Sequence, residues 1–379
     1  MKYIDEYRDS ALAQHIAASI RDAAIPARIY RFMEFCGGHT HAIARYGLPD
    51  LLPGNVHMIH GPGCPVCVLP IGRIDMAIEL ALHHHAIVCT YADTLRVPAS
   101  DGHSLLRARA QGGDVRMVYA VDDALRVARE QPERTVVFFA IGFETTTPPT
   151  AVAILQAAAE NLRNFSVLCC HVLTPAAIAA ILDAPAGEAP QGVPLDGFVG
   201  PAHVSTVIGS EPYAAFASAY RKPVVIAGFE PLDVMQAIRM LVQQVNEGRA
   251  EVENEFTRAV TATGNRKAQA LMRQVFELRE SFEWRGLGEI PYSALRIRDV
   301  YAAFDAERRF QLGYRSVPDN RACECGAILR GLKRPVDCKL FGTVCTPETP
   351  MGSCMVSSEG ACAAHYTYGR HKDARASAA

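Results

Sequence analysis

Twelve cysteines carry most of the chemical potential of this 379-residue chain. In a long chain with no sign of export, cysteines are more often metal ligands or redox thiols than parts of a disulfide framework. Three of them lie between Cys36 and Cys67. Cys89 sits in an apolar run and is expected to pack in the core. Cys169 and Cys170 are neighbours on a predicted strand, so they should point to opposite faces and not share one metal.

The first group of thiols occupies two short loops rich in glycine. Cys36 opens the string CGGHTH, whose glycines free the backbone for a tight turn and for close approach of a ligand. His39 and His41 lie on the same loop. Cys64 and Cys67 form a CxxC pair in GPGCPVC, and that spacing lets two thiolates share a metal or form a disulfide.

Two kinds of site remain open for this first group. A closed zinc site would need further ligands beside the CxxC pair, which Cys36 with His39 or His41 could supply. An active or cofactor-assembling site is favoured, because α/β folds bind ligands in loops at the carboxyl ends of parallel strands. His171 and His203 each follow a strand-like run and are candidates for the wall of the same cleft.

The second group of thiols is crowded into one short segment near the end of the chain. Four thiolates make the ligand set of an iron–sulfur cluster or of a zinc ion. The spacing matches neither the common bacterial ferredoxin run nor a paired zinc ribbon, so it leaves the metal open. Iron–sulfur is favoured, because a cluster could pass electrons to the two remaining thiols. The six cysteines are Cys323, Cys325, Cys338, Cys345, Cys354 and Cys362.

Strands and helices that could position these thiols alternate between about Arg28 and Leu232. Apolar runs such as TVVFFAIG and PVVIAG, bounded by Gly and Pro, are typical of parallel strands covered on both faces. The sequence therefore predicts an α/β fold with two Rossmann-like parallel-sheet lobes. From about Gly286 onward the chain lacks strong periodicity and needs a metal or cross-links to hold it. We expect a helical, cysteine-rich third domain that holds an iron–sulfur cluster.

The predicted domain bounds follow the order of these patterns along the chain. Residues 28–120 form the first α/β domain, with the motifs CGGHTH and GPGCPVC. Residues 121–235 form the second, with GFETTTPP. Residues 1–27 and 236–379 form the helical and cysteine-rich iron–sulfur domain.

Charge and hydropathy exclude other classes of function. The formal net charge is −2, so no overall basic field attracts nucleic acid or an anionic membrane. The N-terminal string MKYIDEYRDS carries charges where a secretory signal would be apolar. No uncharged apolar stretch approaches the roughly 18 residues that span a bilayer. We expect a cytoplasmic protein.

Taken together, the motifs resemble those of a known family. CGGHTH, GPGCPVC, GFETTTPP and the run from CECG to MGSCMVSSEGAC occur in the order found in the HypD family of hydrogenase maturation factors. The resemblance covers nearly the whole chain. It implies two α/β domains plus a third with a [4Fe-4S] cluster, and a redox-active scaffold rather than a conventional turnover enzyme.

The family's function implies a cargo and partners. The scaffold assembles the Fe(CN)2CO group of [NiFe] hydrogenases together with HypC, and the group moves on toward the hydrogenase large subunit. The cyanide ligands come from HypE, which works with HypF. The resemblance assigns iron coordination to Cys36 and the Cys64–Cys67 pair, with His39 close by; the pair would toggle between dithiol and disulfide.

The C-terminal array also resembles that of ferredoxin–thioredoxin reductase, in which a CxC motif places one cluster ligand beside one redox thiol. By that likeness Cys325 and Cys354 are the redox pair. The cluster ligands are then Cys323, Cys338, Cys345 and Cys362.

Two other functions compete with the scaffold. One is a thiol-dependent iron–sulfur oxidoreductase acting on a small molecule in the cleft between the lobes. The other is a non-catalytic zinc protein that binds a partner. Infrared bands of bound cyanide and CO would distinguish the scaffold from both.

Overall fold

A computed structural model describes residues 4–183 and 194–369 of the chain. Within these ranges it contains thirteen β-strands, numbered in chain order. They are β1 (Tyr30–Glu34), β2 (Val56–His60), β3 (Ile87–Thr90), β4 (Val115–Met117), β5 (Val136–Gly142), β6 (Phe165–His171), β7 (Gly197–Pro201), β8 (Val224–Ala227), β9 (Val252–Asn254), β10 (Phe276–Leu278), β11 (Ser281–Trp284), β12 (Gly288–Pro291) and β13 (Leu295–Ile297).

The same ranges contain fifteen α-helices. They are α1 (Ser10–Ala23), α2 (Gly37–Tyr46), α3 (Pro65–Val68), α4 (Ile71–Leu82), α5 (Leu105–Ala110), α6 (Val121–Glu130), α7 (Thr147–Ala159), α8 (Thr174–Leu182), α9 (Ala202–Ile208), α10 (Pro212–Tyr220), α11 (Pro231–Glu247), α12 (Arg266–Val275), α13 (Ala306–Arg309), α14 (Cys325–Leu329) and α15 (Ala361–Tyr368). Short 3-10 helices lie at Asp5–Tyr7, Leu48–Leu51, Ala92–Arg96, Ser100–Gly102, Asp299–Phe304, Pro335–Asp337 and Ser353–Met355.

The first sheet is parallel throughout, with strand order β2-β1-β7-β8-β9. The register of its first pair brings Glu34 of β1 opposite His60 of β2, so both strands end at the same edge. α1 and α11 pack together over one face, where their apolar side chains form a core with those of β1 and β8. This lobe has the predicted α/β architecture.

The second sheet is also parallel, with order β4-β3-β5-β6. Every residue of β5 and β6 is buried, because helices cover both faces. Cys89 and Cys169 pack in the core on one face, whereas Cys170 belongs to the core on the other. The predicted core position of Cys89 and the predicted opposite orientations of Cys169 and Cys170 are confirmed.

The sheets cross the bounds predicted for the domains. β3 and β4, before residue 120, pair with β5 and β6 after it, whereas β7 to β9 return to the first sheet. α1 packs on α11, most of which falls in the same predicted domain as α1, and both cover the first sheet. Apolar runs identify strands but do not encode which strands pair.

The rest of the chain forms two antiparallel strand pairs, β10–β13 and β11–β12, and a cysteine-rich region of short helices and turns. The largest core cluster joins both sheets to this region and includes Met33, Val137, Trp284 and Met355. Arg96 adds a polar tie, donating to the carbonyl oxygens of Pro347 and Val356 at 2.9 Å each. The cysteine-rich region therefore shares its core with the two lobes.

Across residues 4–183 and 194–369, no helix combines the length and the apolar character needed to cross a bilayer.

The packing of α1 yields a first prediction. Ile20 is fully buried against α11, so Ile20→Ala should lower the free energy of unfolding by about 2–5 kcal/mol. Leu12→Ala is the matched control, because Leu12 lies on the same helix with 46% of its surface exposed; its effect should stay within about 0.5 kcal/mol. Urea denaturation would measure both. Equal effects would mean that α1 is not docked on the first lobe.

Candidate functional site

Cys36 lies at the point where β1 ends and α2 begins. It is the N-cap residue of α2, with an extended backbone, and its thiol makes no capping hydrogen bond to the helix. Its backbone N–H donates to Glu34 Oε2 at 2.9 Å. Only 2% of its surface is exposed. The thiol is thus held in a dry site at the edge of the sheet.

The CxxC motif follows β2, next to Cys36. The N–H of Gly37 donates to the carbonyl of Gly63 at 3.1 Å, and a Cβ on Gly63 would overlap the backbone of Cys36. Only glycine allows this approach. Cys64 is then the N-cap of α3, and its sulfur is joined to that of Cys67 by a disulfide, with the two Cα atoms 5.2 Å apart.

His203 is the nearest histidine partner of Cys36. It lies on α9, after β7, and its Nδ1 is 3.2 Å from Cys36 Sγ. Burial, followed by the neighbouring His39, lowers the pKa of His203 to about 4, so the ring is neutral. A neutral ring can accept the thiol proton at Nδ1 when it carries its own proton at Nε2. The expected place of His203 in the cleft is confirmed, whereas His171 is buried against Thr150.

His39, from the same motif as Cys36, faces another way. Its Nε2 lies 3.0 Å from the carbonyl oxygen of Ala227 and 2.9 Å from that of Gly228, beyond the end of β8. Phe229 packs between the two histidines, 4.9 Å from the ring of His39 and 5.4 Å from that of His203. His39 therefore fastens α2 to the loop after β8.

His41 takes part in a different contact. Its Nδ1 is 3.4 Å from the carbonyl oxygen of Ser358, and its ring meets Tyr368 edge-on. It joins α2 to the C-terminal region. With Cys64 and Cys67 oxidised to a disulfide, neither sulfur is available as a thiolate ligand for zinc.

The electrostatics of the pocket keep Cys36 protonated. Burial raises the pKa of its thiol well above the usual range, and the nearby carboxyl groups of Glu359 and Glu34 raise it further. Glu359 comes from the C-terminal region and lies against Gly37. A bound cation would favour the thiolate form of Cys36, because a metal displaces the thiol proton and is attracted by the carboxylates.

The C-terminal cysteines surround a small cavity. Its apolar wall is formed by Ile328, Leu340, Phe341 and Met355. Five of the six cysteines line it: Cys323, Cys325, Cys338, Cys345 and Cys362. All four predicted cluster ligands are among them. A [4Fe-4S] cluster binds each thiolate through a different iron, so its ligands must surround a cavity in this way.

Cys354 lies behind this cavity and is fully buried. Its side chain forms hydrogen bonds with those of Cys325 and Cys362. Hydrogen bonds with Cys323 and Cys354 raise the pKa of Cys325 well above the usual range, whereas the bond with Cys325 lowers that of Cys323 to about 7. Cys325 thus lines the cavity and contacts Cys354, the partner predicted for it, and Cys362 does the same.

The two groups of thiols meet in space. Ser353 Oγ donates to the carbonyl oxygen of Cys67 at 2.7 Å, and Cys67 Sγ lies 3.9 Å from the carbonyl oxygen of Ser353. Ser353 directly precedes Cys354 in the 3-10 helix that packs on α3. The Cys64–Cys67 disulfide therefore adjoins the C-terminal array, although 286 residues separate Cys67 from Ser353.

In the part of the chain that the structure describes, no three side chains of His, Cys, Asp or Glu converge closely enough to hold a single metal ion. The thiols are instead arranged as a buried single cysteine, a disulfide and a ring around a cavity.

Sequence reasoning missed some residues of the site. Glu34 and Phe229 contact the Cys36 region but belong to no predicted set. Glu34 did carry a signal, because it is an acid at the end of the apolar run IYRFMEF, where a buried strand would otherwise be apolar.

Comparisons with known proteins agree on one family. The family model HypD, described as the Hydrogenase formation hypA family, matches residues 11–369. The chain is 71% identical to the Hydrogenase maturation factor HypD of Cupriavidus necator, over 98% of each chain. It is 67% identical to the factor of that name from Rhizobium leguminosarum, over 98% of this chain and 97% of the relative. It is 46% identical to the Hydrogenase maturation factor HypD of Escherichia coli K12, over 97% of this chain and 98% of the relative.

The contact between the two glycine-rich loops yields a second prediction. Gly63→Ala should lower the free energy of unfolding by about 1–3 kcal/mol, because the added methyl group overlaps the backbone of Cys36. It should also expose the Cys36 thiol to alkylation. Gly54→Ala is the control, since no atom lies within 4 Å of its added Cβ. If the two variants behave alike in denaturation and alkylation, the close approach at Gly63 does not hold the site.

Proposed function

The chain belongs to the HypD family of hydrogenase maturation factors, and on that premise we propose that it is the scaffold on which the Fe(CN)2CO group is assembled. HypC is the proposed partner in assembly, and HypE, supplied by HypF, is the source of cyanide. The finished group would pass toward the hydrogenase large subunit. The work would take place in the cytoplasm.

One observation carries this proposal: a buried single cysteine, a disulfide and a ring of cysteines form one continuous site. The loop of Cys36 is hydrogen-bonded to the loop of Cys64. The carbonyl oxygen of Cys67 accepts a hydrogen bond from Ser353, the residue before Cys354. A scaffold that adds ligands to iron needs a thiolate anchor and a supply of electrons close by. This arrangement provides a place for both.

Cys36 is the proposed anchor of the iron cargo. Soft thiolate ligands suit an iron that carries cyanide and CO, and a HypC thiolate could supply a second such ligand. When iron binds, the thiol proton must leave, and His203 Nδ1 at 3.2 Å is the acceptor in place. The carboxyl groups of Glu34 and Glu359 favour the arrival of a cation in this otherwise apolar pocket.

The Cys64–Cys67 pair is the proposed electron store. Its disulfide takes up two electrons and two protons to become a dithiol, and the reverse change returns them. α3 is a short turn of helix, so the CxxC spacing keeps both sulfurs together in either state. Reduction would also free both sulfurs as ligands for the iron.

The ring of cysteines fits a [4Fe-4S] cluster, which would supply single electrons when bound. By the likeness to ferredoxin–thioredoxin reductase, Cys323, Cys338, Cys345 and Cys362 would hold it; all four line the cavity, as does Cys325. The apolar wall keeps water from the site. Cys325 lines the cavity and contacts Cys354, and Cys354 directly follows Ser353, which is hydrogen-bonded to Cys67; this pair is the proposed relay to the Cys64–Cys67 disulfide.

The role of Cys36 gives a third prediction. Cys36→Ala should preserve the fold and the C-terminal cluster but abolish hydrogenase maturation. Protein purified with HypC should lose the infrared bands of cyanide and CO, because the anchor is gone. Cys89→Ala, which alters a buried cysteine in the outer core of the second lobe, should keep both. Wild-type bands and normal maturation in Cys36→Ala would refute the anchor role.

The cluster assignment gives a fourth prediction. Cys338→Ala and Cys362→Ala should each remove the broad visible absorbance of an iron–sulfur cluster and loosen the C-terminal region, since ligand bonds there support a small core. Cys325→Ser is the contrasting variant and should retain the cluster. Iron and sulfide analysis with visible spectroscopy measures all three. Four irons per chain in both alanine variants would exclude Cys338 and Cys362 as ligands.

A further inference from the structure

Glu34 is a carboxylate in a place where a strand side chain would ordinarily be apolar. It is the last residue of β1 and is fully buried. Burying a carboxyl group is costly unless hydrogen bonds replace its water. Glu34 has those bonds: Cys36 N–H donates to Oε2 at 2.9 Å, the Thr40 hydroxyl donates to Oε1, and His60 Nδ1 lies 2.9 Å from Oε1.

These three partners come from three separate elements. Cys36 belongs to the loop after β1, Thr40 to the first turns of α2, and His60 to the end of β2. The main chain adds a fourth tie, since the N–H of Gly61 donates to the carbonyl oxygen of Glu34 at 3.0 Å. One side chain thus joins the loop of Cys36 to the strand that leads into the CxxC motif.

The bond that Cys36 N–H donates to Glu34 fixes the backbone at the start of α2. An N-cap side chain normally accepts a hydrogen bond from the first turn and so fixes its own backbone. The N–H groups of Gly38 and His39 face the Cys36 sulfur without a full capping hydrogen bond, and the same sulfur lies 3.2 Å from His203 Nδ1. Glu34 therefore holds the Cys36 backbone from outside the helix, where the side-chain cap is weak.

We propose that Glu34 is a positioning residue, whose hydrogen bonds set the backbone of Cys36 and the first turns of α2 so that the thiol faces His203 and the CxxC loop. The role concerns hydrogen-bond geometry and not the negative charge. This role deepens the function proposed above, and the purpose of the positioning rests on that function. The effect of Glu34 on the Cys36 thiol can be measured without the iron cargo.

Three substitutions at one position separate geometry from charge. Glu34→Gln loses the charge but keeps the length; its carbonyl can accept from Cys36 N–H while its NH2 group donates to Thr40 Oγ1 and His60 Nδ1. Glu34→Asp keeps the charge and loses the reach. Glu34→Ala loses both. Thr40→Val removes one donor and leaves Glu34 in place.

The measurement is the rate at which iodoacetamide alkylates Cys36 in the folded, metal-free chain, read by peptide mass mapping. Glu34→Ala should raise the rate about tenfold or more, since losing three hydrogen bonds at once favours local opening by such a factor. Glu34→Asp and Thr40→Val should raise it less, and Glu34→Gln should stay near wild type. In protein purified with HypC and carrying the iron cargo, the infrared bands of cyanide and CO should change in Glu34→Ala but not in Glu34→Gln.

Asp305→Ala is the control for general destabilisation. Asp305 is a buried acid that caps α13 in another part of the molecule. The Asp305→Ala substitution should lower the melting temperature without speeding the alkylation of Cys36. Equal acceleration by Asp305→Ala and Glu34→Ala would overturn the proposal.

Other outcomes are equally decisive. An unchanged alkylation rate in Glu34→Ala would overturn the positioning role, and a rate in Glu34→Gln equal to that of Glu34→Ala would show that charge alone matters. If Glu34→Ala fails to fold, Thr40→Val provides the test, and an unchanged alkylation rate of Cys36 in Thr40→Val would overturn the proposal. Failure of the iron-anchor role is seen separately, in the infrared spectrum and maturation of Cys36→Ala.

Discussion

The hydrogen bond from Ser353 to the carbonyl oxygen of Cys67 is the contact on which the organisation of the site depends. It joins a 3-10 helix near the end of the chain to a helical turn that follows β2. Together with the shared core and the contact of His41 with Ser358, this bond brings the two groups of thiols into one site. Cys354 and the Cys64–Cys67 disulfide thus lie close together, and in the function proposed above electrons would pass between them.

Burial and hydrogen bonding set the pKa values of the thiols in this site. Burial raises the pKa of Cys36 and holds it as a thiol, which is less readily oxidised than a thiolate. The contact with Cys325 has the opposite effect on Cys323, whose pKa falls to about 7. The same protein thus keeps one cysteine protonated and another close to thiolate at neutral pH, according to what each one touches.

The fold class could be predicted because its physical signal is local. Continuous apolar runs such as Val136–Gly142 are buried on both faces and can only be central strands. The pairing of those strands has no local signal. β7 resembles the runs before it, yet it returns to pair with β1 across more than 160 residues, and the long-range core decides its place.

The sequence by itself determined which residues could do chemistry, because thiols at CxxC and CxC spacing in glycine-rich loops have few structural uses. It also indicated that the cysteine-rich region could not stand alone. The tertiary structure alone decided that His203 and not His39 meets the Cys36 sulfur, that Glu34 holds the Cys36 backbone, and that the two thiol groups adjoin. Such contacts join residues far apart in the chain, and they arise from packing of the whole core rather than from spacing along the sequence.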